Sequence, residues 1–257
     1  MMNVLRKVLL TLWFWLGVSI STALTGIGYL IYKLVFSGNY AISDHDVITY
    51  LIENVMAELI LLWMTLPRFW IINHRAVTLT AGKNAKDSNG PFLLAANHNS
   101  LIDTLFIADL NYKKTYTYNV KWSMVPVFGW LCVLAGYIGI DTSNPRAKAS
   151  VVPKVCSAIK NGYSVMVYPQ GARSRIPEAS LESINIKTGA FRVAIETGCQ
   201  ILPIYIEGSD KIVSRYGVVD SGSVDIVYGV PFSGSDVNSC RQLWVDDMNS
   251  IRTLIRS

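Results

Sequence analysis

The sequence from residue 91 to residue 103 is PFLLAANHNSLID. Its first half, up to Ala96, is an uncharged apolar run, which is typical of a strand buried on both faces of a sheet. Its second half is polar and contains both His98 and Asp103. Open α/β sheets present their reactive side chains in this way, just beyond the carboxyl end of a strand. The segment therefore predicts an α/β fold whose functional residues lie just after this strand.

Short β-rich runs alternate with helical stretches from residue 75 onward. The predicted strands cover residues 76–80, 92–96, 115–120, 137–140, 164–168, 201–206 and 224–228. The predicted helices cover residues 103–109, 145–160, 187–197 and 238–256. Strands interleaved with helices are typical of an α/β domain with a mostly parallel sheet flanked by helices, which we expect to span residues 73–257.

The composition indicates contact with lipid. Hydrophobic residues make up 51% of the chain and charged residues 16%, against about 25% charged in an average soluble domain. Residues 8–32 carry no charge, follow Arg6 and Lys7, and are long enough to cross a bilayer as a helix. A cleaved secretory signal peptide is the competing interpretation of this stretch.

A second apolar stretch, residues 47–72, contains Glu53, Glu58 and Arg68. Each charge at mid-bilayer costs about 2.5 to 3.5 kcal/mol, so a full second span is disfavoured. We therefore expect residues 1–72 to form an N-terminal two-helix membrane module that lies in one leaflet rather than spanning the bilayer.

Charge and cysteine content narrow the function classes. The net charge of +5 is spread along the chain, so it favours anionic headgroups or a phosphorylated substrate over nucleic acid. The four cysteines form no C-x-x-C pair. This disfavours both a metal site and a disulfide framework, and it suggests a reducing compartment.

Of the three histidines, only His98 has a carboxylate in a position to assist it. A turn after the strand can return Asp103 to the imidazole, which would leave the other ring nitrogen free to take a proton. A structural histidine beside an aspartate that caps a helix would give the same pattern.

A second polar loop follows the predicted strand 164–168. Residues 168–175 are YPQGARSR; Gly171 lets backbone amides approach a ligand, and Arg173 offers a planar fork suited to phosphate. A plain turn with surface arginines would have a similar composition.

Taken in order, these blocks resemble those of the glycerolipid acyltransferase family, typified by lysophosphatidic acid acyltransferases. The first block, an asparagine with His-x4-Asp, resembles Asn97, His98 and Asp103. Residues 136–141, 168–173 and 201–205 are similar to the second, third and fourth blocks. Lys121 falls where family members often carry a lysine. The resemblance covers roughly residues 75–232.

The resemblance implies His98 as general base and Asp103 as its partner, with backbone amides near Gly171 or beside His98 stabilising the oxyanion. It also implies a set of substrate-binding residues: Asn97, Lys121, Arg146, Gln170, Gly171 and Arg173. Two departures are Gln170, where the family has glutamate, and Ala172, where it has threonine. Arg146 is displaced from the family position next to the aspartate of the second block.

The implied reaction transfers a fatty acyl group from acyl-CoA or acyl carrier protein to lysophosphatidic acid, forming phosphatidic acid, with no cofactor and no metal. The implied location is a membrane, with the catalytic domain facing the cytosol. Two alternatives stay open: a remodelling acyltransferase that uses another lysophospholipid, and a catalytically inactive lipid-binding relative.

Overall fold

A computed structural model describes residues 2–36, 44–65, 74–76, 90–107, 110, 113–173, 185–214, 216–220 and 222–256. The helices are α1 (Met2–Phe36), α2 (Asp44–Tyr50), α3 (Ala57–Thr65), α4 (Phe128–Leu134), α5 (Pro145–Ala149), α6 (Val151–Lys160), α7 (Gly189–Thr197), α8 (Ser209–Ile212) and α9 (Val237–Arg256). A π-helical segment, Leu51–Met56, joins α2 to α3, and two short 3-10 helices cover Leu105–Ile107 and Val120–Met124.

The strands are β1 (His74–Ala76), β2 (Phe92–Ala96), β3 (Lys114–Asn119), β4 (Ile138–Ile140), β5 (Ser164–Val167), β6 (Gln200–Glu207) and β7 (Val224–Tyr228). They form one sheet in the order β1-β7-β6-β2-β5-β3-β4. Every pairing is parallel except that of β6 with β7. The predicted α/β fold with a mostly parallel sheet flanked by helices is therefore confirmed.

The central strand β2 is buried along its whole length, and its side chains alternate between two cores. Leu94 and Ala96 face a core shared with α1 and α3, whereas Leu93 and Ala95 face a core shared with α6, α7 and α9. This alternation follows from the two-residue period of a strand. The N-terminal helices thus cover one face of the sheet, and the C-terminal helix covers the other.

Helices α1 and α3 cross where Trp13 and Trp63 meet. The two indole rings stack with centroids 4.6 Å apart, and each indole N–H donates to the other residue's carbonyl oxygen at 2.8–3.0 Å. Gly17 is required at this crossing because a Cβ there would lie 1.9 Å from the Trp63 ring. The two helices therefore pack as one unit, in agreement with the expected helix pair.

Helix α1 also docks on the loop that follows α8. Arg6 and Lys7 form ion pairs with Asp220 at 3.1 and 3.0 Å, and the Trp15 indole donates to the carbonyl oxygen of Gly217 at 3.1 Å. Two stretches are long and apolar enough to cross a membrane, residues 4–36 and 46–64. The proposed boundary near residue 72 and the interfacial placement both remain predictions.

The ion pair of Glu53 changes the argument that the N-terminal helices lie in one leaflet. Its carboxylate pairs with Lys114 of β3 at 2.8 Å, and the two side chains are only 9% and 3% exposed. Because this charge pairs with the sheet inside the protein, it does not face lipid. Glu58, which is exposed, still carries the cost that disfavoured a second span, and Arg68 lies outside the described residues.

The predicted helix over residues 103–109 is wrong for its described part. Residues 101–104 form a turn, and Leu105–Ile107 is a single 3-10 turn in which the Leu105 amide donates to the Ile102 carbonyl oxygen at 3.0 Å. The Asp103 side chain binds the amides of Asn99 and Ser100, so the chain folds back instead of starting an α-helix. Helix α4 was not predicted.

The other predicted elements agree with the structure to within a few residues. The predicted helix 145–160 is divided into α5 and α6. The predicted strand 76–80 overlaps β1 only at Ala76, and residues 77–80 lie outside the described part of the chain.

Candidate active site

His98 and Asp103 form a hydrogen-bonded pair just beyond the carboxyl end of β2. Nδ1 of His98 lies 2.7 Å from Oδ2 of Asp103. Because a carboxylate only accepts hydrogen bonds, Nδ1 carries the proton and Nε2 is the acceptor. The His98 side chain is 20% exposed and that of Asp103 is fully buried. The ring can therefore meet a substrate while its partner stays out of water. The predicted contact is present; its catalytic role remains a prediction.

Three further donors hold the Asp103 carboxylate. The amides of Asn99 and Ser100 each donate to Oδ2 at 2.8 Å, and the Ser209 hydroxyl donates to Oδ1 at 2.6 Å. Four donors at one carboxylate fix its rotamer and hence the orientation of the imidazole. Asp103 thus caps its own turn and also holds His98. Ser209, more than a hundred residues away in sequence, was not predicted from any local pattern.

Asn97 lies in the site but has a structural role. Its side-chain oxygen accepts from the Ile206 amide and its NH₂ group donates to the Ile206 carbonyl oxygen, both at 2.7 Å. The residue is fully buried. The prediction that Asn97 binds substrate is therefore corrected: its amide extends the pairing between β2 and β6 beyond the last strand residue.

The loop after β5 contacts His98 directly. The His98 backbone N–H donates to Oε1 of Gln170, and the Tyr168 ring stacks on the imidazole with centroids 4.0 Å apart and planes inclined by 20°. Gly171 has φ 72°, a left-handed conformation that glycine adopts without strain. Neighbouring parallel strands bring the two predicted blocks together at one edge of the sheet.

This geometry shows what Gln170 contributes. An amide oxygen accepts a hydrogen bond from a backbone N–H as a carboxylate would. The departure from the family's glutamate therefore keeps the contact between the two loops and removes only the negative charge.

Tyr116, Tyr137, Tyr168 and Glu53 form an inner polar cluster. The Glu53 carboxylate interacts with the Tyr116 hydroxyl, and among the described residues the phenol oxygens of Tyr137 and Tyr168 are buried without a hydrogen-bond partner. Burial raises the pKa of each of the three tyrosines well above its usual value. These phenols therefore remain protonated donors at neutral pH. They are core positions in an aromatic-rich chain, so sequence patterns did not distinguish them.

The amides next to His98 are engaged in hydrogen bonds. Those of Asn97, His98, Asn99 and Ser100 donate to Ile204, Gln170 and Asp103, and the amide of Gly171 donates to the Tyr168 carbonyl oxygen at 2.9 Å. Stabilisation of the oxyanion by amides beside His98 or near Gly171 stays a prediction, and the amides just after Gly171 are further candidates.

The predicted basic residues are dispersed along the carboxyl edge. Arg173, three residues after Gln170, is half-buried. Lys121 and Arg146 are exposed, in the 3-10 helix after β3 and in α5. Among the described residues neither makes a side-chain contact with the His98–Asp103 pair. Asp141 follows β4 and accepts from the Ser143 hydroxyl, which lowers its pKa.

The four cysteines are free. Burial raises the pKa of every one of them, and that of Cys132 reaches about 12. A thiol with a raised pKa is a weak nucleophile at neutral pH, so none of the four is an activated nucleophile.

A buried carboxylate that orients an accessible imidazole is the arrangement found in enzymes that use histidine as a general base. Residues 76–207, just over half of the chain, match the family model described as Acyltransferase. The chain belongs to this family.

Two relatives of this chain are named as 1-acyl-sn-glycerol-3-phosphate acyltransferases. The chloroplastic 1-acyl-sn-glycerol-3-phosphate acyltransferase LPAT1 of Arabidopsis thaliana is 28% identical over 60% of this chain and 42% of its own length. The 1-acyl-sn-glycerol-3-phosphate acyltransferase of Salmonella typhimurium is 32% identical over 50% of this chain and 51% of its own. The matches thus span about half the length of these relatives.

Among solved structures, the crystal structure of the 1-acyl-sn-glycerophosphate (LPA) acyltransferase PlsC from Thermotoga maritima shares this fold. Its TM-score is 0.76, with 18% identity and coverage of 98% of both chains. At this identity the likeness establishes the fold alone.

Proposed function

We propose that this chain transfers a fatty acyl group from acyl-CoA or acyl carrier protein to the free hydroxyl of lysophosphatidic acid, forming phosphatidic acid. The observation that carries the proposal is the 2.7 Å contact between His98 and Asp103. It supplies an oriented base at the edge where the family's other blocks converge. Named relatives that act on 1-acyl-sn-glycerol-3-phosphate support the choice of acceptor.

The reaction needs one proton acceptor and no covalent intermediate. Nε2 of His98 removes the hydroxyl proton of the acceptor while the oxygen attacks the thioester carbonyl carbon. A carbon–oxygen bond forms, the carbon–sulfur bond breaks, and the proton passes from His98 to the departing thiolate. Asp103 stabilises the transient imidazolium, as the carboxylate of a catalytic triad does. The donor and acceptor are the only small molecules this scheme requires.

The loop at residues 168–173 positions the reactants. Arg173 holds the acceptor phosphate through a bidentate contact, which raises the effective concentration of the hydroxyl near His98. Lys121 and Arg146 contribute positive charge along the same edge. Amides just after Gly171 donate to the tetrahedral oxyanion.

The N-terminal helices keep the site at the bilayer. Both acyl chains are insoluble, and each buried methylene contributes about 0.8 kcal/mol, so a site at the lipid boundary avoids extracting them. We place the catalytic domain on the cytosolic side and the helix pair in one leaflet. Labelling a Phe36→Cys variant from either side of a vesicle tests this: reaction only from the side opposite the catalytic domain shows that α1 spans.

Gln170 supports the second candidate, a remodelling acyltransferase that uses another lysophospholipid. The neutral amide in place of the family's carboxylate alters the charge beside the acceptor, and such contacts set acceptor choice.

The deciding experiment uses the purified full chain in vesicles with labelled acyl-CoA or acyl carrier protein and a panel of lysophospholipids. Transfer to lysophosphatidic acid that His98→Ala abolishes supports the first function. Transfer to a different headgroup, also lost in His98→Ala, supports the second. No transfer with any acceptor would identify the chain as an inactive lipid-binding relative.

A further inference from the structure

The α/β domain carries an apolar corner of its own. The 3-10 helix after β3 and helix α4 expose large apolar side chains: Met124 is 83% exposed, Trp130 62% and Val133 58%. Val125 and Leu134 are exposed beside them. We call these five residues the apolar corner. Exposed apolar side chains grouped in this way mark an interaction surface.

The apolar corner is at the edge of the sheet that carries the active site. It follows the carboxyl end of β3, and β3 is parallel to β5, which is parallel to β2. His98 follows the carboxyl end of β2. The buried side of α4, through Leu131, enters the core shared with α1 and α3. The apolar corner therefore lies at the same edge of the sheet as His98 and on the same face of the sheet as the N-terminal helices.

Two close backbone approaches make the corner rigid. Val127, at the start of α4, has φ 62°, a strained conformation for a β-branched residue. A Cβ at Gly26 of α1 would lie 3.0 Å from the Val127 side chain, and one at Gly129 would lie 2.4 Å from the Ser123 carbonyl oxygen. The exposed side chains thus project from a fixed support packed against α1.

The contact at Gly26 also makes the corner continuous with the outer face of α1. Leu30, one helical turn after Gly26, and Ile27 beside it are exposed on that helix. Lys121, exposed at the start of the 3-10 helix, supplies the positive charge that suits anionic headgroups. This continuity selects lipid over a second copy of the chain as the material that covers the corner.

We propose that the apolar corner is a second membrane contact, which inserts into the same leaflet as the N-terminal helices and holds the edge bearing His98 against the bilayer surface. The inference rests on the proposed function, in which the N-terminal helices keep the site at the bilayer. The apolar corner adds a second contact that sets the orientation of the catalytic domain. With α1 as tether and the corner as a second point, the domain cannot rotate away from the lipid, and acceptor enters directly from the leaflet.

A fluorescence experiment tests the location without reference to activity. The full chain, with an environment-sensitive dye on Trp130→Cys or Val133→Cys, is reconstituted in vesicles with and without spin-labelled phospholipids. The native thiols have raised pKa values, so the introduced cysteine is labelled preferentially. Leu243→Cys is the matched control, because Leu243 is an exposed apolar residue on α9, on the opposite face of the sheet.

Spin-labelled lipid should quench the dye at residues 130 and 133 and leave residue 243 unaffected. Equal, weak quenching at all three positions would overturn the proposal. A blue-shifted but unquenched dye at residues 130 and 133 would also overturn it, because a second copy of the chain would then cover the corner.

A kinetic experiment tests whether the apolar corner helps the enzyme to use an acceptor held in the membrane. Val133→Glu should lower the rate with long-chain lysophosphatidic acid in vesicles by about tenfold, since a charge is driven into lipid. The rate with a short-chain, water-soluble acceptor should stay within about twofold of the parent, and Leu243→Glu should change neither. Equal losses with both acceptors would contradict the membrane role. If the parent itself transfers no acyl group, the proposed function fails while the quenching result stands independently.

Discussion

Replacing Glu53 with glutamine removes one charge from a buried ion pair that joins the N-terminal helices to the sheet. The Lys114 ammonium lies 2.8 Å from the carboxylate and donates to the Leu110 carbonyl oxygen at 2.7 Å. Breaking such a pair on one side costs about 3 to 5 kcal/mol, because the remaining charge stays buried and uncompensated. For a chain of this size about 1 kcal/mol corresponds to about 2 to 4 °C in Tm.

We therefore expect Glu53→Gln to lower the Tm by about 6 to 20 °C, and Lys114→Met to do the same. The double variant Glu53→Leu with Lys114→Met should recover most of that loss, since no buried charge remains. Thermal unfolding in one detergent, followed by circular dichroism, measures all three. Glu58→Gln is the control, because Glu58 is exposed on α3. Single variants within about 2 °C of the parent would show that water reaches the pair and that the two charges do not act together.

The remaining predictions concern the active site. His98→Ala should abolish transfer in the vesicle assay without altering membrane association. Asp103→Asn should keep a small residual activity, about 10⁴-fold below the parent, because an amide orients the ring but cannot support its charge. Equal activity in Asp103→Asn and the parent would leave the aspartate only its capping role. Arg173→Lys should raise the KM for the lysophospholipid and leave the KM for acyl-CoA nearly unchanged, since a point charge replaces a bidentate fork. A fall in kcat with both KM values unchanged would show that Arg173 acts on the transition state instead. Gln170→Glu should retain activity, because the acceptor for the His98 amide is conserved, while Gln170→Leu should lose about tenfold or more; similar activity in both would show that this contact is dispensable. Tyr168→Phe keeps the ring on His98 and should preserve kcat/KM, whereas Tyr168→Leu should lower it by about tenfold, because it removes the stacked ring that holds the imidazole in place. Equal kcat/KM in the two variants would show that the stacking is dispensable.

The parts of the site that could be predicted are local in sequence. His98 and Asp103 are separated by one turn, so their spacing alone indicated the contact that the structure has at 2.7 Å. The approach of residues 168–173 to His98 followed from two parallel strands ending at one edge of the sheet.

The parts that could not be predicted depend on pairs of residues far apart in the chain. Ser209, the first residue of α8, donates to Asp103, and no periodicity in the sequence marks either partner. Glu53 was interpreted as a cost in the bilayer because its partner, Lys114, lies in a distant strand. The helix predicted at residue 103 failed because the Asp103 side chain binds the preceding amides of Asn99 and Ser100 and folds the chain back.

The contacts between α1 and the loop after α8 have a consequence for the order of synthesis. Arg6 and Asp220 are 214 residues apart, and Trp15 and Gly217 are 202 apart. At about 5 to 20 residues per second, α1 leaves the ribosome about 10 to 40 s before its partners. During that interval α1 can pack on α3 through Trp13 and Trp63, but its partners beyond α8 do not yet exist. Docking of the first helix on the catalytic domain is therefore a late step of folding, because it waits for the last third of the chain.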